Sequence, residues 1–430
     1  MSQANGCDQE PPAPDERRRF AHIAGAGITF QAGSAAVDSA TIMAALVYQL
    51  TGNPLAVGAV TAVLRFGWLF PQLIVGFLAE RRASSMRYYL IGGYGRACCL
   101  LVLAAVLYAG GGLSRGTLGA LVLLAWTAYA FVSGIVAVPY NDIVARAVAS
   151  ERRSRLLAVR FFGGGVLALG VAAAADVLVG RLAFPQSYAA IIALAAGLML
   201  ISATAFVAMG EPRTTAPARR RTGFADYLRE GMATFRGDRR FRLFVFAQWA
   251  GGAVLLALPF YVVGAFAAGF AIMDVAWLLG AQTAGALASN ALWGWWGDRL
   301  GKGSLLRAVA GGRLLPPGLI LLLPLFGDLP AALLFGVFLG VFLLLGALAN
   351  GLTIAVIGYL MEISPADRRP SYSGYFNALT APAFLFPLLG GAIAALVGLE
   401  VVFAVSLIAA FIQLVCVHRL RKIPPAFANC

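Results

Sequence analysis

The sequence has 430 residues, of which 60% are hydrophobic and only 12% are charged. These proportions exclude an ordinary soluble domain and are typical of an integral membrane protein. The formal net charge of +14 does not indicate a nucleic-acid partner, because the composition excludes a soluble nucleic-acid binder and the placement of charge decides its meaning.

The chain starts with a polar, proline-containing stretch that ends in three arginines, Arg17 to Arg19. It has no apolar run of the kind that a signal peptidase requires. We therefore expect residues 1–20 to form a disordered cytoplasmic tail.

Apolar runs of membrane-spanning length follow one another along the rest of the chain. A helix needs about 20 apolar residues to cross the hydrocarbon core of a bilayer. The sequence therefore predicts an all-α integral membrane protein with twelve transmembrane helices, near 22–48, 55–79, 88–110, 116–142, 156–180, 188–209, 243–266, 274–296, 304–326, 330–360, 371–397 and 401–418.

The longest polar segment divides these spans into two groups of six. It covers residues 210–242 and contains nine arginines. We predict an N-terminal six-helix bundle at 21–209, a cytoplasmic linker at 210–242, a C-terminal bundle at 243–418 and a cytoplasmic tail at 419–430. Within the linker, the apolar spacing of 224–235 predicts an amphipathic helix on the membrane surface.

Arginine and lysine are concentrated in alternate connections between the predicted spans. If the first span starts inside, only Arg115 and Arg181 fall on the outer side among the connecting residues. Because positive loops stay in the cytoplasm, we expect a multi-pass protein of a bacterial cytoplasmic (inner) membrane with both termini in the cytoplasm.

The two halves of the sequence repeat one another. The loop Gly76–Arg81 matches Gly294–Arg299 at an offset of 218, and Arg96 matches Arg313 at an offset of 217. Glu151 before the fifth span likewise matches Asp367 before the eleventh at an offset of 216. Three matches at nearly one offset indicate two homologous, pseudo-symmetric bundles.

The two Gly-x-x-x-acid-Arg loops resemble the signature that follows the second and eighth helices in the major facilitator superfamily. That resemblance implies two bundles that rock about a central site, giving alternating access. It also implies that Asp142 meets Arg81 in a cytoplasmic gate. We assign this gate the residues Gly76, Glu80, Arg81, Asp142, Gly294, Asp298 and Arg299.

The first span resembles that of the drug, macrolide and siderophore exporters of the superfamily. The resemblance lies in Tyr48-Gln-Leu-Thr-Gly52 followed by Ala56-Val-Gly58. Those exporters carry an aspartate in the first helix, and Asp38 stands in a suitable place. The resemblance implies efflux by an antiporter.

Asp38 and Arg65 are placed level with each other near the middle of the membrane. Each lies about ten residues from the short turn between the first two spans, which corresponds to a depth of ~15 Å. Neither charge is repeated, because Leu255 and Gln282 stand 217 residues later. We predict that Asp38 and Arg65 form a pair that couples transport to protons; a purely structural ion pair is the alternative.

Arg96 and Arg313 also lie within predicted spans. Because they are duplicated, we interpret them as structural, with anion binding as the alternative. The larger group of polar and aromatic residues predicted to line the central cavity is Phe66, Trp68, Gln72, Trp126, Tyr129, Gln248, Trp249, Tyr261, Gln282 and Asn377.

The function predicted from these residues is secondary active transport of a small organic molecule, by proton-coupled efflux of an amphipathic or cationic compound. Two alternatives stay open: an uptake permease for an organic anion held by Arg65, Arg96 and Arg313, and a membrane sensor or scaffold without transport. We expect no enzyme activity, cofactor or metal site, since the sequence has no Walker loop or metal-ligand set. The expected partners are a small-molecule substrate, protons or another ion, and the lipid bilayer, with the protein acting as a monomer and binding no nucleic acid.

Overall fold

A computed structural model describes residues 14–79, 84–148, 150–211, 224–271, 273–327, 329–364 and 369–423. These residues form helices and turns, with no β-strand among them. Nine helical segments in this part of the chain are long and apolar enough to cross a membrane. The sequence-based prediction of an all-helical membrane protein is therefore confirmed.

The first half contains eight helices. They are α1 (Pro14–Ala36), α2 (Ile42–Thr51), α3 (Pro54–Ala79), α4 (Met86–Ala109), α5 (Arg115–Gly134), α6 (Ala137–Ala147), α7 (Ser150–Arg181) and α8 (Gln186–Val207). Helix α1 packs against α7 and α8, and α4 packs against α5 and α8.

The second half contains ten helices. They are α9 (Phe224–Gly237), α10 (Arg239–Val254), α11 (Phe260–Ala267), α12 (Asp274–Arg299), α13 (Lys302–Gly312), α14 (Leu315–Leu322), α15 (Ala331–Ile363), α16 (Arg369–Thr380), α17 (Phe386–Leu396) and α18 (Leu399–Leu420). Here α12 packs against α15, α10 against α18, and α13 against both α15 and α18.

Helix α1 begins earlier than the sequence suggested. The predicted disordered tail extends to residue 20, but the chain is helical from Pro14. Pro14 suits the first turn of a helix, and Asp15 and Glu16 complement the positive end of the helix dipole. Arg19 pairs with Asp15 at 2.7 Å and Arg152 pairs with Glu16 at 2.9 Å, which adds support. Residues 1–13 of that tail lie outside the described residues.

Several predicted spans are interrupted helices. The first breaks at residues 37–41 between α1 and α2, and short 3-10 turns at 255–257 and 381–385 interrupt the seventh and eleventh. The predicted amphipathic linker helix corresponds to α9, and α10 begins at Arg239 within the segment predicted as linker. A break in a membrane helix frees backbone groups, which is tolerated where they find partners or line a cavity.

The two halves meet mainly through α3 against α17 and α7 against α12. We call the side at which α1 begins and α18 ends the terminal side, and the opposite side the turn side. On the turn side one continuous apolar core contains residues of both halves, including Leu46 and Val263. On the terminal side each half has its own core, with Ile143 in one and Leu305 in the other. The halves are thus fused by apolar packing on the turn side.

Candidate functional site

The break between α1 and α2 is organised by the side chain of Asp38. Its Oδ1 accepts hydrogen bonds from the backbone N–H groups of Ala40 and Thr41, both at 3.0 Å, and from the Thr41 hydroxyl at 2.9 Å. These donors lie at the start of α2, where N–H groups have no helical partner. One carboxylate oxygen therefore holds the break, and the second has no partner among the described residues.

Asp38 lines a cavity of about 260 Å³ between the two halves. We call it the central cavity. The first half contributes residues of α1 and α7, and the second half contributes residues of α12 and α15. Among the described residues, its polar side chains are amides, hydroxyls and one carboxylate, from Gln31, Ser34, Asp38, Gln282, Thr283, Asn290 and Asn350.

In the wall formed by α12 and α15, the backbones of the two helices are in close contact. A side-chain carbon at Gly346 would collide with the carbonyl of Gln282, and one at Gly285 would collide with the carbonyl of Leu343. Across the same contact, Asn350 Nδ2 donates to the carbonyl of Ala286 at 2.9 Å. The Oε1 atom of Gln282 is buried and has no hydrogen-bond partner among the described residues. The cavity wall thus carries an unsatisfied acceptor.

A second, smaller cavity of about 80 Å³ contains two arginines, Arg65 and Arg313, and the ring of Tyr261. We call it the arginine cavity. Arg313 donates from Nη1 to Gln413 Oε1 at 2.7 Å and from Nη2 to the carbonyl of Gly251 at 2.9 Å. Ala349 lines both cavities, so they adjoin each other.

The structure does not bring Asp38 and Arg65 into direct contact. No ion pair within 4.0 Å joins them in the described part of the chain, although Arg65 is near enough for its charge to act on Asp38. The Arg65 guanidinium instead lies 5.7 Å from the centre of the Phe384 ring. Asp38 lines the central cavity, and Arg65 lines the adjoining arginine cavity.

Arg96 lies away from both cavities. Its guanidinium is 4.5 Å from the centre of the Phe30 ring, and Arg160 approaches the same ring at 5.6 Å. The Arg96 side chain is buried, and its Nε has no partner within the described structure. This arrangement favours a structural role, through a cation–π contact, over direct contact with a solute in the central cavity.

Only two of the predicted lining residues face these cavities: Gln282 in the central cavity and Tyr261 in the arginine cavity. Trp126 is fully buried, donates from Nε1 to the carbonyl of Val60 at 2.9 Å and stacks on Tyr129. Trp249 Nε1 donates to the carbonyl of Leu379. The remaining predicted residues, which line neither cavity, are Phe66, Trp68, Gln72, Gln248 and Asn377.

Sequence reasoning missed most of the polar lining. Gln31 and Ser34 stand seven and four residues before Asp38, so the three share one face of a helix. Gln282 and Asn290 are eight residues apart, so they also share one face of a helix. The recurrence of polar residues at helical spacing within apolar spans would have predicted this wall.

Comparison with known proteins identifies the family. The sequence model described as Major Facilitator Superfamily matches residues 23–379 and 265–428. The chain belongs to the major facilitator superfamily. No curated protein sequence matches it at a significant level.

Solved structures of transporters share this superfamily fold. The nucleoside transporter NupG is similar with a TM-score of 0.70 at 14% identity, covering 94% of this chain and 99% of its own. A peptide transporter, POT, gives 0.65 at 14% identity over 94% and 95%. A bacterial homologue of the iron transporter ferroportin, in its inward-facing state, gives 0.65 at 14% identity over 95% and 99%. At such identities the likeness shows the fold alone.

The first superfamily signature loop lies largely outside the described residues, since Glu80 and Arg81 fall there and only the backbone of Gly76 is described. Asp142, predicted to meet Arg81, binds Arg146 Nη2 at 2.6 Å and accepts a hydrogen bond from Ser85 Oγ at 2.6 Å. The spacing of Asp142 and Arg146 by four residues on a helix was a signal for this pair.

Glu211, after the end of α8, completes this charged cluster. It pairs with Arg146 at 2.9 Å and accepts hydrogen bonds from Ser84 Oγ at 2.6 Å and Ser85 N at 2.8 Å. Partial burial alone would raise the pKa of Glu211, but the hydrogen bonds from Ser84, Arg146 and Ser85 outweigh it and lower the pKa below its usual value. The cluster ties the start of α4, α6 and the end of α8 together on the terminal side.

The second signature loop is described in full. Lys302 Nζ pairs with Asp298 at 2.8 Å, and Arg299 is exposed. Gly294 has open space where a side chain would be. The gate function of these residues stays a prediction.

Proposed function

We propose that the protein is a secondary active transporter that moves a small organic solute by alternating access through the central cavity. The observation that carries the proposal is the position of Asp38. Its carboxylate lies at a helix break, on a polar cavity between the two halves of a superfamily fold. An ionisable group inside the membrane is costly and is found where it serves a substrate or ion pathway.

We propose twelve spans in two six-helix bundles. Nine of the twelve are the helical segments that are long and apolar enough to cross a membrane. The other three are formed by α1 with α2, by α12, and by α16 with α17. The arginine distribution supports placing the terminal side in the cytoplasm of a bacterial inner membrane. The fused apolar core on the turn side then supports an inward-facing state, in which the central cavity is sealed from the outside.

We propose that Asp38 couples transport to protons. Its Oδ1 accepts the hydrogen bonds that hold the helix break, whereas its second carboxylate oxygen has no partner among the described residues. Protonation of that oxygen removes the charge without removing the hydrogen bonds that hold the break. The superfamily sequence features near Tyr48 support export as the direction, by antiport. We propose that a monomer is sufficient, because both cavities are formed within one chain.

The lining supports a different solute from the amphipathic cation predicted from the sequence. Most polar side chains among the described lining residues are amides and hydroxyls. The buried Oε1 of Gln282 has no hydrogen-bond donor among the described residues. A buried polar group without a partner is costly. We therefore propose a solute with several hydrogen-bonding groups.

The test uses purified protein in proteoliposomes that enclose a pH-sensitive dye. A set of polar solutes is added outside, and solute-driven proton movement is recorded. At least one solute is expected to move protons in wild type, and Asp38→Asn is expected to abolish that movement. Asn can still accept the hydrogen bonds at the break, so the variant separates charge from fold.

Glu400→Gln, at the exposed start of α18 and outside both cavities, serves as the comparison variant, with folded yield checked for both. No proton movement with any solute would favour a sensor or scaffold. Undiminished movement in Asp38→Asn would exclude that residue from coupling.

A further inference from the structure

We propose that the arginine cavity is a subsite for the oxyanion group of the transported solute, a carboxylate or phosphate bound between Arg65 and Arg313. This inference rests on the proposed transport function and adds the chemical class of the solute. The solute is a small organic anion whose uncharged polar part occupies the central cavity.

The arginine cavity concentrates positive charge. Arg65 and Arg313 face one cavity whose other walls are mostly apolar, including Val254, Leu258 and Leu345. Among the described residues, neither guanidinium has a carboxylate within 4.0 Å, and Arg65 lies near enough for its charge to act on both Arg313 and Asp38. Two like charges in an apolar space repel one another, and an anion between them would relieve that repulsion.

The arginine cavity also provides hydrogen-bond donors. Two nitrogens of Arg313 are already bonded to Gln413 and Gly251, which fixes the plane of its guanidinium. Arg65 makes no hydrogen bond with a described residue and is held by the ring of Phe384. A guanidinium has five N–H donors in a fork that matches an oxyanion. Arg65 therefore offers free donors beside an immobilised neighbour.

The arginine cavity is the smaller of the two. Its volume of about 80 Å³, against about 260 Å³ for the central cavity, leaves room for a carboxylate or phosphate group. Because Ala349 lines both cavities, the remainder would extend into the central cavity toward Gln282 and Asn350. Hydroxy acids and phosphorylated polyols have this division into a charged head and a hydrogen-bonding body.

The experiment measures binding to full-length protein in detergent by the shift of its thermal unfolding midpoint. The probes are lactate and glycerol phosphate, with lactamide and glycerol as neutral counterparts, at constant ionic strength. We expect saturable stabilisation by at least one anion and none by the neutral compounds. The two anions distinguish a carboxylate site from a phosphate site.

Variants connect the binding to the cavity. Arg65→Gln is expected to weaken the anion about ten- to hundred-fold, which corresponds to the loss of hydrogen bonds to a charged group, and Arg65→Lys to weaken it less. Arg65 is the main test because Arg313→Gln also removes contacts that hold α10 and α18. Arg307→Gln, an equal charge change on α13 outside both cavities, is expected to leave binding unchanged.

Wild-type affinity in Arg65→Gln, or equal effects of anions and neutral counterparts, would overturn the subsite. If the subsite fails while Asp38-dependent proton movement persists, the transport proposal stands. If anion binding depends on Arg65 but no solute moves protons, the subsite stands and the coupled transport proposal falls.

Discussion

Tyr48 of α2 stacks on Phe266 of α11, with ring centroids 6.0 Å apart and planes inclined by 9°. The contact joins the two halves on the turn side, and neither ring lines the central cavity. Such a contact has to break if the halves separate there. It is therefore a specific point at which closure of the turn side can be tested.

Tyr48→Ala and Phe266→Ala are each expected to favour separation of the halves on the turn side. An aromatic pair contributes about 0.5–1.5 kcal/mol beyond the area it buries, so the ratio of open to closed states should rise about two- to twelve-fold. Distances between spin labels on α2 and α11 measure the change. A double variant that opens no further than either single variant supports the contact, whereas strictly additive effects would show that the rings act independently.

Gly285→Ala and Gly346→Ala are expected to destabilise the protein. A side-chain carbon at either position would collide with a backbone carbonyl of the facing helix. Overpacking of this kind costs about 1–3 kcal/mol. The measurement is the thermal unfolding midpoint in detergent. Gly340→Ala on the same α15 is the matched control, because a carbon added there meets nothing within 4 Å. A control variant that unfolds as easily as Gly346→Ala would refute the explanation.

Asp38→Ala and Asp38→Asn are expected to differ in stability. Alanine loses the three hydrogen bonds that Oδ1 accepts, whereas asparagine keeps an acceptor there. Loss of a side-chain acceptor at a helix start costs about 0.5–2 kcal/mol. Unfolding midpoints of the two variants check this. Equal loss in both would mean that the charge of Asp38, and not its hydrogen bonding, holds the break between α1 and α2.

Glu211→Gln is expected to loosen the connection between the start of α4 and the end of α8. The carboxylate is stabilised in the folded protein, which lowers its pKa. Its contribution is therefore fully present above the unfolded value of about 4.3 and is lost as the pH falls through the lower folded-state value. Hydrogen exchange at the amide of Ser85 should be faster in Glu211→Gln at neutral pH. In wild type it should accelerate only in acid, after correction for intrinsic exchange rates, and a change near neutral pH would contradict this assignment.

The sequence was sufficient for the order of the helices but not for how each helix is rotated. Predicted spans at 188–209 and 401–418 correspond to α8 and α18 within two residues at each end. An uninterrupted apolar run of about 20 residues is what a single membrane-spanning helix requires. Trp126 was expected in the cavity because of its residue type. It is buried instead, and its Nε1–H donates to the carbonyl of Val60 on α3. Which face of α5 is covered depends on the helix packed against it, and the sequence of α5 alone does not reveal this.

The interruptions were missed for a related reason. The first span contains no proline near residues 37–41, so periodicity predicts one helix. The break depends on Asp38, whose carboxylate accepts hydrogen bonds from the N–H groups of Ala40 and Thr41. These bonds compete with the hydrogen bonds of a continuous helix, and the spacing of apolar residues does not reveal them. Helix breaks inside apolar spans are where the polar lining is found, and they depend on side-chain geometry.

We propose that one cavity between the halves faces one side of the membrane at a time. The direct test replaces the native cysteines, introduces Thr283→Cys on the cavity wall, and labels it with a membrane-impermeant maleimide in vesicles of known orientation. We predict rapid labelling of the wild-type background from the terminal side only, and added labelling from the turn side when Tyr48→Ala is combined with Phe266→Ala. Equal labelling from both sides in the wild-type background, or labelling from the turn side alone, would contradict the account.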